Sequence, residues 1–531
     1  FEWQEVTNAP EVGNAYQFAV LTTENEINGG RAPDATTYSP EDLQKFKDGT
    51  YPSTDWYEVV ARDYTSMHRH NLNISGGSER IRYYNSLGFL NNEGLWKSGD
   101  LNHKKFTIRS NVTGYVTDNL EAELFLDGMW ENKNEPSEPA WNIFKFTWMN
   151  KPTLPVYANN NPEYLQNMGY PWNPLAMSTA DIGGYNKTKT KHFQGNISLN
   201  YDFPFFDGLS GKLRASYYTQ SLWRRTWNKR YEVYDYNEVT DIYELGGIQN
   251  DPSNLTGYYW SSERISLMGQ LTYQKQFLGV HNVKATLVFE ERQEQSENLL
   301  AQKQFNIDID QFYAGTSENQ QINSSGLSEQ ANQNAIGRLN YDYRSKYLLE
   351  VGFNYGGSSL FPEEKRWGLF PFISAGWRLS EESFIKKSVP AITDLKIRAS
   401  WGEMGDDGAS SFQFLTGYNY PSGNYIFDGE VVSGLGFRGM PNPNITWYTV
   451  TTKNVGIDLD IHDGLFSAQV DLFQRDRSGL LATRILTIPG TVGAALPQEN
   501  LNKDMRRGIE LVVGHSKRSG AFQYDISANV T

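Results

Sequence analysis

The sequence contains no cysteine in 531 residues, so disulfides and thiolate metal sites are excluded and the redox compartment stays open. No stretch approaches the roughly 18 consecutive apolar residues of a membrane-spanning helix. A helical membrane protein is therefore excluded, and a membrane barrel is not. Basic residues are outnumbered, 48 against 62, giving a net charge of −14. No basic stripe stands out against that acidic balance, so no nucleic-acid partner is expected. The mean hydropathy of −0.59 has the look of a soluble protein. Membrane strands alternate apolar and polar residues, however, and their average stays low.

What is abundant is aromatic residues, 14% of the chain, and glycine, at 47. Both lean toward β structure. In "RWGLFPFISAGWRLSEESF" (366–384), Ile373, Ala375, Trp377 and Leu379 alternate with Ser374, Gly376, Arg378 and Ser380. Such a strand has one apolar and one wet face. The pattern recurs at 105–116, 120–127, 265–273, 347–355, 395–401, 455–461 and 522–530, within about sixteen segments, most of 9–13 residues. Short turns (75–80, 115–119, 276–282, 342–346, 462–464 and 516–520) alternate with long loops (134–189, 225–260, 298–330, 405–445 and 476–504). That is the layout of an outer-membrane barrel.

The wet faces carry charge along whole strands, as at Lys105, Arg109, Glu121, Glu123, Lys212, Arg214, Lys396, Arg398, Asp458 and Asp460. Rings gather near strand ends instead: Tyr83, Tyr84, Trp96, Tyr201, Phe203, Tyr341, Tyr343, Trp367 and Trp377. Rings at the ends match the girdles at the two membrane interfaces. The expected fold is all-β, an antiparallel transmembrane β-barrel with long extracellular loops. Ile373, Ala375 and Leu379 are expected to be exposed. A large soluble β protein is the competing reading. Because the chain starts and stops inside strands, it is expected to be a piece of a longer one, with any targeting segment in the remainder.

Several stretches resemble SusC-like TonB-dependent transporters, the nutrient-uptake barrels of Bacteroidota outer membranes. They are 15–60, 71–112, "GRLNYDYRSKYLLEVGFNYGGSSLFPEEKRWGLFPFISAGWRLSEESF" (337–384), "LKIRASWGEMGD" (395–406) and "NPNITWYTVTTKNVGIDLDI" (442–461). The resemblance implies that residues 1–531 are part of a 22-stranded barrel whose plug domain and remaining strands lie outside this chain. It also implies a SusD-like surface lipoprotein as a hinged lid, and energy from TonB-ExbB-ExbD through a TonB box that this chain lacks. Membrane lipid and lipopolysaccharide would surround the barrel, and a dimer of such transporter–lid pairs is kept open.

Four motifs suggest chemistry and carry little. The acidic pairs Glu290/Glu291, Glu363/Glu364 and Glu381/Glu382 would suit a glycosidase, but neighbours on a strand point to opposite faces. "HRH" (68–70) puts two imidazoles on one face without a further ligand nearby. "GLGFRG" (434–439) has dinucleotide-type glycines but is followed by "MPNPN" rather than a helix. "DIDQF" (308–312) and "GDDG" (405–408) offer oxygen atoms, so calcium is the one cofactor kept open.

The aromatic loops are more informative. "AWNIFKFTWMNKPTLPVY" (140–157), "GYPWNP" (169–174), "LWRRTW" (222–227) and "GYYW" (257–260) combine rings with Asn and Arg. Rings stacking on sugar faces beside amide and guanidinium donors suit oligosaccharide capture. The candidate ligand-binding residues are Trp141, Trp148, Tyr157, Trp172, Trp223, Arg225, Trp227, Tyr259 and Trp260, with membrane-interface or lid packing as the plainer role. The expected function is import of oligosaccharides across the outer membrane, with no covalent chemistry. Peptide import in the same family, a lid-less siderophore or cobalamin receptor, and a soluble glycan hydrolase or adhesin are the alternatives.

Overall fold

The computed structural model describes residues 2–5, 12–170, 172–484, 493–520 and 522–531. Pro171 and the middle of the long loop foreseen over 476–504, residues 485–492, lie outside the described residues. The strands are β1 (Glu2–Glu5), β2 (Tyr64–Gly77), β3 (Ile81–Glu93), β4 (Asn102–Thr117), β5 (Leu120–Pro136), β6 (Gly184–Asp202) and β7 (Leu209–Asn228). A hairpin β8 (Tyr231–Asn237) and β9 (Ile242–Gln249) precedes β10 (Ser253–Phe277), β11 (His281–Phe305), β12 (Gln321–Tyr343), β13 (Tyr347–Ser358), β14 (Trp367–Arg378) and β15 (Ile392–Asp406). Two small pairs follow, β16 (Tyr418–Asn419) with β19 (Gly436–Phe437), and β17 (Asn424–Phe427) with β18 (Glu430–Ser433). The wall then continues as β20 (Tyr448–Ile461), β21 (Phe466–Thr483), β22 (Gln498–Ser519) and β23 (Phe522–Val530).

All but the small pairs and the β8–β9 hairpin join one 17-stranded sheet, each strand antiparallel to the wall strand before it. Among the described residues, β1 and β23 pair on one side only. Strands are longer than the 9–13 residues expected: β10 and β11 have 25 each. At about 3.3 Å per residue they reach roughly 80 Å, several times the ~25 Å apolar band of a membrane barrel. The segment 225–260, expected as a loop, is mostly strand for this reason.

Cross-strand register lines the alternating residues into two continuous faces. Tyr347, Leu349 and Val351 of β13 lie opposite Trp377, Ala375 and Ile373 of β14, which in turn face Ile397, Ala399 and Trp401 of β15. That face is apolar and uncovered: Leu213 is 64% exposed, Ile373 44% and Ile509 60%. A soluble protein rarely leaves more than a few hundred Å² of such surface in one patch. Here it runs around the wall, so lipid is its solvent. Ala375 is exposed as expected. Leu379 is not: the strand ends at Arg378, and Leu379 sits half-buried in the 3-10 turn Leu379–Glu381.

The opposite face is charged and paired across strands. Arg398 donates to Asp458 at 3.1 Å and to Asp471 at 2.6 Å. Lys212 meets Glu123 at 3.1 Å, and Arg264 meets Glu294 at 3.0 Å. Gly456 leaves the room Arg398 occupies: a Cβ there would stand 2.6 Å from the guanidinium carbon and 2.7 Å from Asp471 Oδ1.

At the short-turn end, rings form a row across four strands. His281 and Tyr343 have centroids 5.0 Å apart, Tyr343 and Tyr347 6.3 Å, and Tyr347 and Trp377 6.2 Å. Tyr347 Oη and Trp377 Nε1 both donate to Glu382 Oε1, at 2.7 and 3.2 Å. Rings with one apolar body and one wet tip suit the interface. Trp96 does not belong to a girdle as expected. It lies in the β3–β4 connection and is 1% exposed, inside a core described below.

Two outcomes are expected from full-length protein unfolded in phospholipid bilayers. Ile373→Arg, on the lipid face between Trp367 and Trp377, should cost about 2–4 kcal/mol, whereas Ser374→Arg on the wet face should change stability by about 0.5 kcal/mol or less. Gly456→Val should cost about 1–3 kcal/mol by displacing Arg398 from its two carboxylates.

Candidate functional site

Long connections at the other end of the wall build a cap. Helices α1 (Ala15–Asn28), α2 (Pro40–Lys47) and α3 (Trp56–Val60) lie between β1 and β2. Helices α4 (Ala140–Met149), α5 (Pro174–Ser178) and α6 (Ala180–Gly183) lie between β5 and β6. The two insertions share a core of Val60, Ala61, Trp96, Ile143, Phe146 and Met177. Trp56 Nε1 donates to the Lys151 carbonyl at 3.1 Å, and Thr54 Oγ1 to that of Leu154 at 2.7 Å. Each buried Ile, Phe or Trp there contributes about 1.5–3 kcal/mol.

Helical spacing divides α4 into two faces. Ile143, Phe146 and Thr147 point into the cap core, while Trp141, Lys145 and Trp148 point out. Trp141 is 68% exposed and Trp148 44%. Trp172, 39% exposed, stands edge-on to Phe146 at 4.7 Å. Tyr157 is half-buried against a second core of Leu165, Ala176, Tyr231 and Val233, where the β8–β9 hairpin leans on the cap.

The candidates on β7 and β10 fall on two different faces. Trp223, Arg225 and Trp227 share the parity of Leu213 and Tyr217, and Tyr259 that of Ile265 and Leu267, so these four lie on the outer, lipid-side face above the membrane band. Trp227 is buried there with Tyr185, Leu255 and Phe305 under the 306–320 connection, whose Phe312 packs against this core. Asp310 of that strap accepts from Tyr185 Oη, and its carbonyl accepts from Arg225. Trp260 is the one of the five on the wet inner face, opposite Leu222.

Sequence reading passed over the inner face just below the cap. A concavity of about 720 Å³ is lined there by Asn92, His103, Glu131, Asn186, Thr188 and Arg224, among others. His103 Nε2 lies 2.6 Å from Glu131 Oε1. The side-chain oxygen of Asn92 is buried without a partner. Sites of this size and mixed polarity hold small solutes by a few converging polar groups. Alternation was the available signal: Arg224, one residue from Arg225, shares the parity of Arg214 on the wet face.

A charged inner face, an exposed apolar outer face and a large cap describe a membrane barrel. The family model for the TonB dependent receptor-like β-barrel matches residues 140–531, well over half the chain. The chain belongs to that family. The receptor is 25% identical over 516 residues to the TonB-dependent receptor SusC of Bacteroides thetaiotaomicron, covering 90% of this chain and 48% of SusC. It is 24% identical over 479 residues to the TonB-dependent receptor P26 of Formosa agariphila, covering 87% of this chain and 44% of that protein. The chain thus spans about half the length of the curated relatives it matches. Its fold resembles the RagAB peptide importer in the closed-closed state, with TM-score 0.76 and 16% identity over 99% of this chain and 59% of the other. The receptor is an outer-membrane protein of a receptor and transporter family, not of an enzyme family.

The other motifs take ordinary places in the receptor. Glu290 and Glu291 point to opposite faces of β11. His68 and His70 share the outer face, where His70 stacks on Phe89 at 6.2 Å. Among the described residues no three His, Asp or Glu side chains gather as a metal site would need. Asp308 pairs with Lys229 at 2.7 Å, and Asp407 accepts from Asn332 and Ser358, each at 2.7 Å.

Acids also hold the cap's first insertion together. Glu26 accepts from the Thr37 backbone N–H at 2.7 Å and from its hydroxyl at 2.6 Å, and both bonds, with Arg31, pull its pKa below the usual value. Asp42 is lowered by the Ser39 hydroxyl and N–H that it caps, and Asp48 by the Thr50 hydroxyl and N–H. A carboxylate whose folded pKa is depressed contributes its full stability above the unfolded value and loses it as pH falls through the folded one. Hydrogen exchange, corrected for intrinsic rate, should show constant protection of 15–48 from neutral pH down to about pH 5. Further acidification should release that segment before the wall strands.

Proposed function

We propose that the full-length protein is a TonB-energised outer-membrane importer that captures oligosaccharides on its cap, beneath a SusD-like lipoprotein lid. The observation that carries the reading is α4. Its inner face already fills the cap core, while the outward Trp141 stands open. Trp148, touching only Phe144 among the rings of the described residues, at 6.3 Å, is partly open, so two flat faces are presented beside Lys145. Flat rings next to amide and ammonium donors suit sugar faces and their hydroxyls. Below them the polar concavity gives a solute a wet step into the barrel, and the charged inner wall a wet path through it. Nothing in this sequence of events requires a bond to be made or broken.

Peptide import is the second reading, favoured by the fold's likeness to the RagAB peptide importer. Backbone amides would use the same polar concavity, and aromatic rings accept apolar side chains as readily as sugar faces.

Binding to the full-length protein, purified with whatever surface lipoprotein accompanies it, separates the readings. A panel of oligosaccharides and a panel of peptides should be titrated against wild type and the Trp141→Ala/Trp148→Ala variant. The expected outcome is an oligosaccharide bound by wild type and weakened about tenfold per ring in the variant, a loss of about 1.4 kcal/mol each. Binding of peptides alone would replace the first reading by the second. Tight binding of an oligosaccharide with unchanged affinity in the variant would move the site off α4.

A further inference from the structure

Four lysines form a patch on the outer face of the wall, just above its apolar row. On β6, Lys187, Lys189 and Lys191 occupy the positions that continue downward as Phe193, Gly195, Ile197 and Leu199. The lysines therefore begin where the lipid-facing row stops. Lys104 of β4 lies opposite Asn132 of β5, which lies opposite Lys189. Successive same-face residues stand about 6.8 Å apart, and Lys104 and Lys189, two strands apart, about 10 Å. All four side chains are exposed.

This is an unusual place for cations in a chain of net charge −14. The acids of β5 at this height, Glu131 and Glu135, turn to the inner face, where Glu131 contacts His103 and Glu135 pairs with Lys133. On the outer face beside the lysines stand asparagines and the rings of Phe106 and Trp130, Trp130 lying directly opposite Lys191. Arg225, opposite Lys187, lies 4.0 Å from Asp310 of the strap, the acid nearest the patch's upper end. Lys187 stands over the Tyr185 ring at 4.0 Å. Among the described residues, Lys104, Lys189 and Lys191 form no ion pair, in a structure that pairs many of its other cations. Further round the same face, on β10 and β11, the sign reverses with Glu263, Glu291 and Glu297.

Unpaired ammonium groups next to aromatic rings, at the edge of an apolar band, lie at headgroup depth. We propose that Lys104, Lys189 and Lys191, with Lys187, hold the phosphate groups of an anionic lipid headgroup in the outer leaflet. The acyl chains of that lipid lie against Phe193, Ile197 and Leu199, so the site recognises a phosphate attached to a lipid and not phosphate alone. The sector from β4 to β7 thereby differs from the acidic β10–β11 sector, which repels the same headgroup.

The test uses the full-length protein in phosphatidylcholine nanodiscs with and without bis-phosphorylated lipid A, co-purified lipid being counted by native mass spectrometry. Wild type should enrich lipid A over phosphatidylcholine. The enrichment should fall about five-fold for each lysine neutralised in Lys104→Gln, Lys189→Gln and Lys191→Gln, weaken with salt, and survive in the corresponding Lys→Arg variants. The Arg variants keep the charge, so they report on the site even where a Gln combination fails to fold. No enrichment by wild type, equal enrichment by a folded triple-Gln variant, or full displacement by millimolar inorganic phosphate would each overturn the proposal.

Discussion

In hydrocarbon, a backbone N–H or C=O without a partner costs several kcal/mol, and no water is present to supply one. Everything else in this receptor is arranged around that requirement. Each wall strand from β3 to β21 pairs on both sides, and β2 and β22 do so over part of their length, so most main-chain groups of the wall are satisfied. Because pairing is taken care of by the backbone, side chains are free to serve two different solvents. Alternation then assigns each residue to lipid or water by its parity alone.

Parity is consequently the finest determinant of role in the wall. Arg224 lines the inner concavity, while Arg225, one residue on, binds the strap over the outer face. Trp260 faces the interior and Tyr259 the outside. The same rule separates Glu131, beside His103 inside, from Trp130, opposite Lys191 outside. A one-residue shift in register would exchange every such pair, and the apolar row makes that shift prohibitive because it would turn Leu213, Leu267 and Leu287 into the wet interior.

This explains which features were legible in the sequence. The strands, their order, the short turns and the charged face rest on alternation, which is local. The girdle residues Trp367 and Trp377 follow from it too, both on the outer row of β14. The roles of the aromatic loop residues do not follow from it. Trp96 reads as an interface ring because it is close to the end of a strand, but helices α3 and α4 close over it from positions far away in the chain. Trp227 reads as a ligand platform until the 306–320 strap is seen to cover it. Arg225 and Trp227 could have been assigned to the outer face by carrying the parity of Leu213 up β7, since no bulge interrupts the pairing of β7 with β6 or β10.

The division between wall and cap is energetic as well as spatial. Wall strands lock each other through long paired ladders, and the inner charges are mostly neutralised by neighbours, as Arg398 is by Asp458 and Asp471. A paired wall offers a passing solute few strong charges to bind, which suits a conduit better than a trap. The cap is built differently, from short helices held by a small shared core and by carboxylates such as Glu26 and Asp42 near the solvent. Segments with few buried contacts open at lower free energy than the sheet beneath them. On the proposed reading, recognition falls on the part that can rearrange, and transit on the part that cannot. The exposed rings of Trp141 and Trp148 stand on the first, and the lipid-facing Ile373 stands on the second.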